Sequence, residues 1–320
     1  MSRAPGLIGL DWGTSSLRAY LLAADAPVVL DERAEAWGIM RLPGGDFAAA
    51  FAALTGPWRQ RWPRLAAVAA GMVGSAHGWV EAPYQECPAG ADELAAALVS
   101  VPGGALYVVP GVARWRGCPD VMRGEETQVV GALALHPELA ARAWLVLPGT
   151  HSKWVRVEDG RVADLTTFMT GELFAVLRDH SVLGRPPGSA RSAPNDAVVP
   201  NGTAAAADAF ARGVAAARAS RDGLAPLLFA TRALTLAGRL RPDETLDYLS
   251  GLLIGDELRG ALAGRGDAPL ALVGDAALCA RYDAALRLFG VTEARTIDGA
   301  APVGLWHVAR RAGLVAASPA

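Results

Sequence analysis

Apolar positions in this chain fall into short aliphatic runs bounded by Gly, Pro and Asp, and into longer Ala/Leu-rich stretches of helical period. In the first third, the runs predict strands over 6–11, 17–23, 28–35, 65–70 and 105–109, with helices near 46–58 and over 91–99. From residue 144 the same order returns. Strands 144–148, 153–157 and 162–168 form a meander, the last two joined through Glu158-Asp159-Gly160, and a helix from Glu172 to Asp179 follows Thr170-Gly171. Helix 243–262, strand 270–273, helix 276–289, strand 294–297 and helix 302–314 complete the second round. A βββαβαβ succession that occurs twice predicts an α/β fold of two ribonuclease-H-like lobes with a cleft between them. The expected division is 1–137 and 138–320, with 121–137 as a helix crossing the hinge. An insertion at about 185–240 should open as an irregular, mobile Pro/Gly/Ser/Asn stretch at 185–202 and continue as apolar helices.

Each round opens with the same device. Ile8-Gly9-Leu10-Asp11-Trp12-Gly13-Thr14-Ser15-Ser16 and Leu145-Val146-Leu147-Pro148-Gly149-Thr150-His151-Ser152 each read as a strand, a Gly-Thr-x-Ser turn and a returning strand. The glycine permits a tight turn from which amides and hydroxyls point outward as an anion cradle. Two such hairpins facing each other would hold the phosphates of one nucleotide, through Gly13, Thr14, Ser15, Gly149, Thr150, His151, Ser152 and Lys153. This duplication points to a two-lobed phosphotransfer enzyme.

Composition narrows the setting. The 320 residues are 52% hydrophobic with a formal net charge of −2, and the mean hydropathy is +0.24. That suits two domains with real cores and gives no basic footprint for nucleic acid. No apolar run approaches the roughly 20 residues of a membrane span, and Asp11 interrupts the only early one, so no export signal is expected. Cys87, Cys118 and Cys279 are odd in number and lack metal-ligand spacing, as in a reducing cytoplasm. Among 30 basic residues, Lys153 is the single lysine. A compact ammonium surviving in the second phosphate turn of an arginine-rich chain argues for a point charge beside a phosphate.

Further segments bear chemistry. Asp11 ends the first strand, where its carboxylate can hold the Mg2+ of Mg-ATP or simply cap the turn. Glu125 and Glu126, in Arg123-Gly124-Glu125-Glu126, offer a carboxylate to take the proton of an attacking alcohol, although a helix N-terminus favours acidic residues in any case. Gly71-Met72-Val73-Gly74-Ser75, leading to Trp79, lies after a strand where open α/β sheets bind ligands; Gly71, Met72, Ser75 and Trp79 are substrate-site candidates. Gly274, Asp275 and Leu278 form a strand–turn–helix start against which adenine could lie. Gly251 could supply a facing helix wall, or serve close helix packing together with Gly255.

These segments together resemble the 2-dehydro-3-deoxygalactonokinases, a sugar-acid kinase branch of the hexokinase/actin-like ATPase superfamily. The resemblance runs almost end to end, through Gly9–Ser15, Gly71–Ser75 with Gly78-Trp79, Val121–Gln128, Leu147–Trp154, Thr167–Phe174 and Leu249–Gly255. It implies ATP-dependent phosphorylation of 2-dehydro-3-deoxy-D-galactonate on its 6-hydroxyl, in galactonate catabolism. Gly124-Glu125 is the nearest match to the Gly-Asp context of the base in distant sugar kinases. Pro148 stands where many superfamily members carry aspartate, which leaves the metal to Asp11 alone. Arg18 and Arg123 are candidates for the substrate carboxylate, or could form buried ion pairs. A kinase for another 2-keto-3-deoxy sugar acid and a non-catalytic ATP-binding regulator are the competing readings, and a homodimer is left open.

Overall fold

In a computed structural model, residues 3–184 and 204–315 are described. The expected irregular stretch 185–202 lies outside them. The first sheet contains β1 (Pro5–Trp12), β2 (Leu17–Ala23), β3 (Val29–Glu35), β4 (Ala66–Gly71), β6 (Val99–Ser100) and β7 (Tyr107–Val108) in the order β3-β2-β1-β4-β7-β6. The second contains β10 (Arg142–Leu147), β11 (Ser152–Glu158), β12 (Arg161–Phe168), β13 (Leu270–Val273) and β14 (Arg295–Ile297) in the order β12-β11-β10-β13-β14. In chain order both run third, second, first, fourth, fifth, with β6 added at one edge of the first sheet. The repeat legible in the sequence is therefore a repeat of topology.

Burial explains the strand patterns. Central β1 is apolar almost throughout because helices cover both its faces, whereas edge strand β3 keeps Asp31, Glu32 and Arg33 outside the core. Ile8, Leu10, Trp12 and Leu17 are fully buried with Phe51 and Trp58 of α1 (Phe47–Arg61). Asp46 caps α1 by accepting from Ala49 N at 2.9 Å.

The expected helix 121–137 is corrected. Residues Asp120–Met122 form β9, which pairs with β8 (Gly111–Arg114) in a small sheet completed by β5 (Tyr84–Glu86); the helix α3 starts later, at Glu125–Leu135. The break is Gly124, whose φ of 108° no helix tolerates. The helix expected over 91–99 also ends early, as α2 (Ala91–Ala96), before the chain enters β6.

The chain folds into two compact units. One comprises Met1–Leu145, Val155–Thr166 and Ile297–Ala320; the other comprises Val146–Trp154 and Thr167–Thr296. In the first unit, C-terminal α9 (Ala300–Arg311) lies directly on α3. A Cβ on Gly304 would stand 1.7 Å from Thr127 O, and one on Gly131 would stand 1.9 Å from Ala300 O. The indole of Trp306 donates to Ala23 O at 2.9 Å and ties α9 to the end of β2.

The second unit holds α4 (Thr170–His180), α5 (Ala204–Ala219), α6 (Ala225–Leu236), α7 (Thr245–Ala261) and α8 (Ala276–Leu288). The helices expected in the insertion are α5 and α6. Among the described residues, no helix is long and apolar enough to cross a membrane.

The glycine contact between α3 and α9 makes a sharp prediction. Gly304→Val should destabilise the protein by about 3 kcal/mol or more, because backbone lies where the side chain would go. Gly264→Ala, with nothing within 4 Å of the added carbon, should leave the denaturation midpoint nearly unchanged.

Candidate active site

In the first unit, the turn after β1 is closed by Gly13 N donating to Ser16 O at 3.0 Å. Its outer side is held by Ile39 N on Gly13 O and Met40 N on Thr14 O, both at 3.1 Å, which leaves the side chains of Thr14 and Ser15 exposed. Sequence reasoning missed Gly38, where a Cβ would meet Ser15 N at 2.2 Å; the Trp37-Gly38 pair was the available signal. Trp37 O in turn accepts from the buried indole of Trp12 at 2.9 Å. Asp11 is half-buried and lies opposite Arg18 in the β1–β2 register. Burial raises its carboxyl above the usual range, and the Arg18 guanidinium opposes that shift.

Three backbone segments converge beside this turn. Gly71 ends β4 with φ 100°, and a Cβ there would stand 2.7 Å from Trp12 O; a Cβ on Gly124 would stand 3.1 Å from Gly71 Cα. The start of α3 is thus pressed against the ends of β1 and β4. Glu125 is half-buried and accepts from Arg123 N at 3.1 Å. Glu126 is fully buried and accepts from Gly124 N at 2.7 Å through Oε2. Burial first, and the neighbouring Glu125 second, push its carboxyl up to about 8.

The loop after β4 turns over Met72–Gly74, with Ser75 N donating to Met72 O at 3.0 Å. The ring of Trp79 stacks near Phe47 at 6.3 Å and also meets Trp12 and Phe51, so it is anchored in the core. Arg18 is exposed, whereas Arg123 is half-buried.

In the second unit, Thr150 and His151 are exposed at the turn before β11. The turn rests on the start of α4: Glu172 N donates to Thr150 O at 2.9 Å, and His151 Nε2 meets Glu172 Oε2 at 2.5 Å. A Cβ on Gly171 would stand 2.4 Å from Gly149 O.

Ser152, expected to contact phosphate, is corrected. It is fully buried and its hydroxyl donates to Glu257 at 2.7 Å. Strand alternation puts Trp154 on the same face, and its indole donates to the same carboxylate at 2.7 Å. Tyr282 also donates at 2.7 Å, and Thr170 completes the set. Glu257 therefore ties the turn to α4, α7 and α8. The missed signal was its helical spacing from Ser250 and Leu253 on the buried side of α7. Lys153, buried and next to Ser152, faces the opposite side of β11.

Gly251 is likewise corrected. A Cβ there would stand 2.1 Å from Phe210 O, so α5 covers it and no adenine can. Gly274, with φ 132° and nothing within 4 Å of an added Cβ, is open. Asp275 caps α8 by accepting from Leu278 N at 2.9 Å, and Leu278 is half-buried just inside the helix. Among the described residues no group of three or more His, Cys, Asp or Glu could enclose a metal.

Two sheets of one repeated order, each with a Gly-Thr turn after its first strand, define the actin-like ATPase fold. A solved activator of 2-hydroxyisocaproyl-CoA dehydratase from Clostridium difficile shares that fold, with a TM-score of 0.51 at 12% identity, over 96% of this chain and 95% of its own. A solved structure from Sinorhizobium meliloti, described as a 2-dehydro-3-deoxygalactonokinase, aligns with a TM-score of 0.81 at 36% identity, over 95% of this chain and 98% of its own. Curated relatives described by the same activity are 37% identical. The Rhizobium meliloti one covers 100% of this chain and 99% of its own length, and the Escherichia coli one 88% and 90%. The family model for 2-keto-3-deoxy-galactonokinase matches residues 11–308. The chain belongs to that family and is a kinase, a phosphotransferase to an alcohol group.

Two outcomes follow from the buried carboxyls. The folded state keeps the Glu126 proton up to about pH 8, whereas the unfolded chain loses it near 4.5. Folding stability should therefore fall as pH rises between those values. Glu126→Gln should flatten that slope and be the more stable form at pH 8, as urea titrations at several pH values would show. Glu257→Leu should cost about 3–5 kcal/mol because four buried donors lose their acceptor, with Glu257→Gln milder in the same titration.

Proposed function

We propose that this kinase transfers the γ-phosphoryl group of ATP to the 6-hydroxyl of 2-dehydro-3-deoxy-D-galactonate, a step of galactonate catabolism. The full-length kinship with kinases of that description carries this reading. The arrangement of Glu125 and Glu126 supports its chemistry. Burial pushes the Glu126 carboxyl up to about 8 and seals it from solvent, which leaves the role of base to its neighbour. Glu125, half-buried at the start of α3, takes the 6-hydroxyl proton as that oxygen attacks the γ-phosphorus. The bridging P–O bond then breaks toward ADP.

Each unit offers its own phosphate turn, Gly13, Thr14 and Ser15 in the first and Gly149, Thr150, His151 and Lys153 in the second, where Glu172 holds His151. The open turn at Gly274, Asp275 and Leu278 is assigned to adenine. Gly71, Met72, Ser75 and Trp79 border the acceptor. Asp11 fits the Mg2+ of Mg-ATP, because its desolvated carboxyl gains from a cation and this ion takes few protein ligands. When bound, Mg2+ neutralises charge developing on the phosphate oxygens.

A coupled ADP-release assay over a panel of 2-keto-3-deoxy sugar acids should give highest kcat/KM for the galactonate derivative. Glu125→Gln should lower kcat roughly 100-fold or more with KM for ATP nearly unchanged, and Glu126→Gln should stay active. An inactive Glu126→Gln beside an active Glu125→Gln would move the base by one residue.

A further inference from the structure

Among the described residues, six buried side-chain nitrogen or oxygen atoms have no hydrogen-bond partner, and four of them belong to the loop after β4 and to the entry of α3: Ser75 Oγ, Arg123 Nε, Arg123 Nη1 and Glu126 Oε1. Buried polar groups are ordinarily satisfied, so a concentration of exceptions marks a place where a ligand supplies the partners. Arg123 is held firmly for such a role. Its Nη2 donates to Ala82 O at 2.7 Å, and its guanidinium lies 4.3 Å from the centre of the Tyr84 ring. Nη1 crosses Gly74, where an added Cβ would stand 2.9 Å from it, and Ser75 is the next residue. Arg281, a buried arginine of the second unit, behaves differently: it pairs with Asp247 at 3.0 Å and donates a further bond to Ser250 at 2.9 Å. Arg123 keeps two donors in reserve.

We propose that Arg123, with Ser75 beside it, is the subsite that binds the carboxylate of the sugar acid. This rests on the functional reading above and extends it from the reacting hydroxyl to the far end of the acceptor. An unpaired guanidinium is matched in charge and geometry by a ligand carboxylate, with the Ser75 hydroxyl as an added donor. The protonated Glu126 brings no second negative charge to repel it. The backbone N–H of Arg123 meanwhile donates to Glu125, so one residue serves both the anchoring end and the reacting end of the substrate. Arg18, exposed on β2, is not placed this way.

The test compares two acceptors on the full-length protein: 2-dehydro-3-deoxy-D-galactonate and its carboxamide, which keeps every hydroxyl and loses the charge. Wild type should prefer the acid in kcat/KM. Arg123→Gln should lower kcat/KM for the acid about 100-fold, mainly through KM, and leave the amide within a few-fold, so the preference collapses. Ser75→Ala should narrow the preference by a smaller factor, and decides the matter if Arg123→Gln does not fold. A wild type without preference for the acid, or variants that lose both acceptors equally, would overturn this assignment alone. A wild type that phosphorylates neither acceptor would overturn the functional reading and this one with it.

Discussion

The approach of Gly124 to Gly71 is the constraint on which the arrangement of the first unit's candidate site depends. With both residues at positive φ, the start of α3 can press against the ends of β1 and β4. Asp11, the Gly13 turn, Glu125 and the loop that carries Ser75 are thereby gathered on one set of strand ends. Open α/β sheets bind ligands at such carboxyl ends because the chain leaves the sheet there and exposes its backbone groups. α9 holds the arrangement from behind, packing on α3 through Gly304 and Gly131 at distances that leave no room for a side chain.

Two adjacent glutamates then acquire different chemistry from one helix turn. Neighbours on a helix point in different directions, so burial of one leaves the other nearer the surface. Glu126 is sealed and burial holds its proton, whereas Glu125 stays partly exposed. Such a separation of environments is how paired carboxyls come to divide their tasks. In the second unit, Glu257 is also buried, yet four neutral donors satisfy it, and it acts as a structural tie under the turn.

The strand order and the two turns were legible because alternation and aliphatic runs report burial directly. The small third sheet was not: its strands β5, β8 and β9 are only three or four residues long, and β9 was absorbed into the expected helix. Ser152 looked like a phosphate ligand because a Gly-Thr-x-Ser motif does not say on which face of β11 its last hydroxyl falls. Gly251 looked open because small residues admit a ligand and a helix equally, and only the placement of α5 distinguishes the two. Glu257 and the unpartnered Arg123 donors depend on contacts between segments far apart in sequence, which no local pattern encodes.

The most direct test of the account is the turnover of Gly124→Ala. At φ 108° an alanine is strained, and its Cβ would crowd Gly71, so α3 should shift and carry Glu125 with it. The account predicts kcat reduced by at least about 10-fold, with the KM for ATP within about twofold and a cooperative unfolding transition retained. A folded Gly124→Ala with wild-type kcat would contradict it, because the proposed base, Glu125, would then not depend on the junction of β1, β4 and α3 for its position.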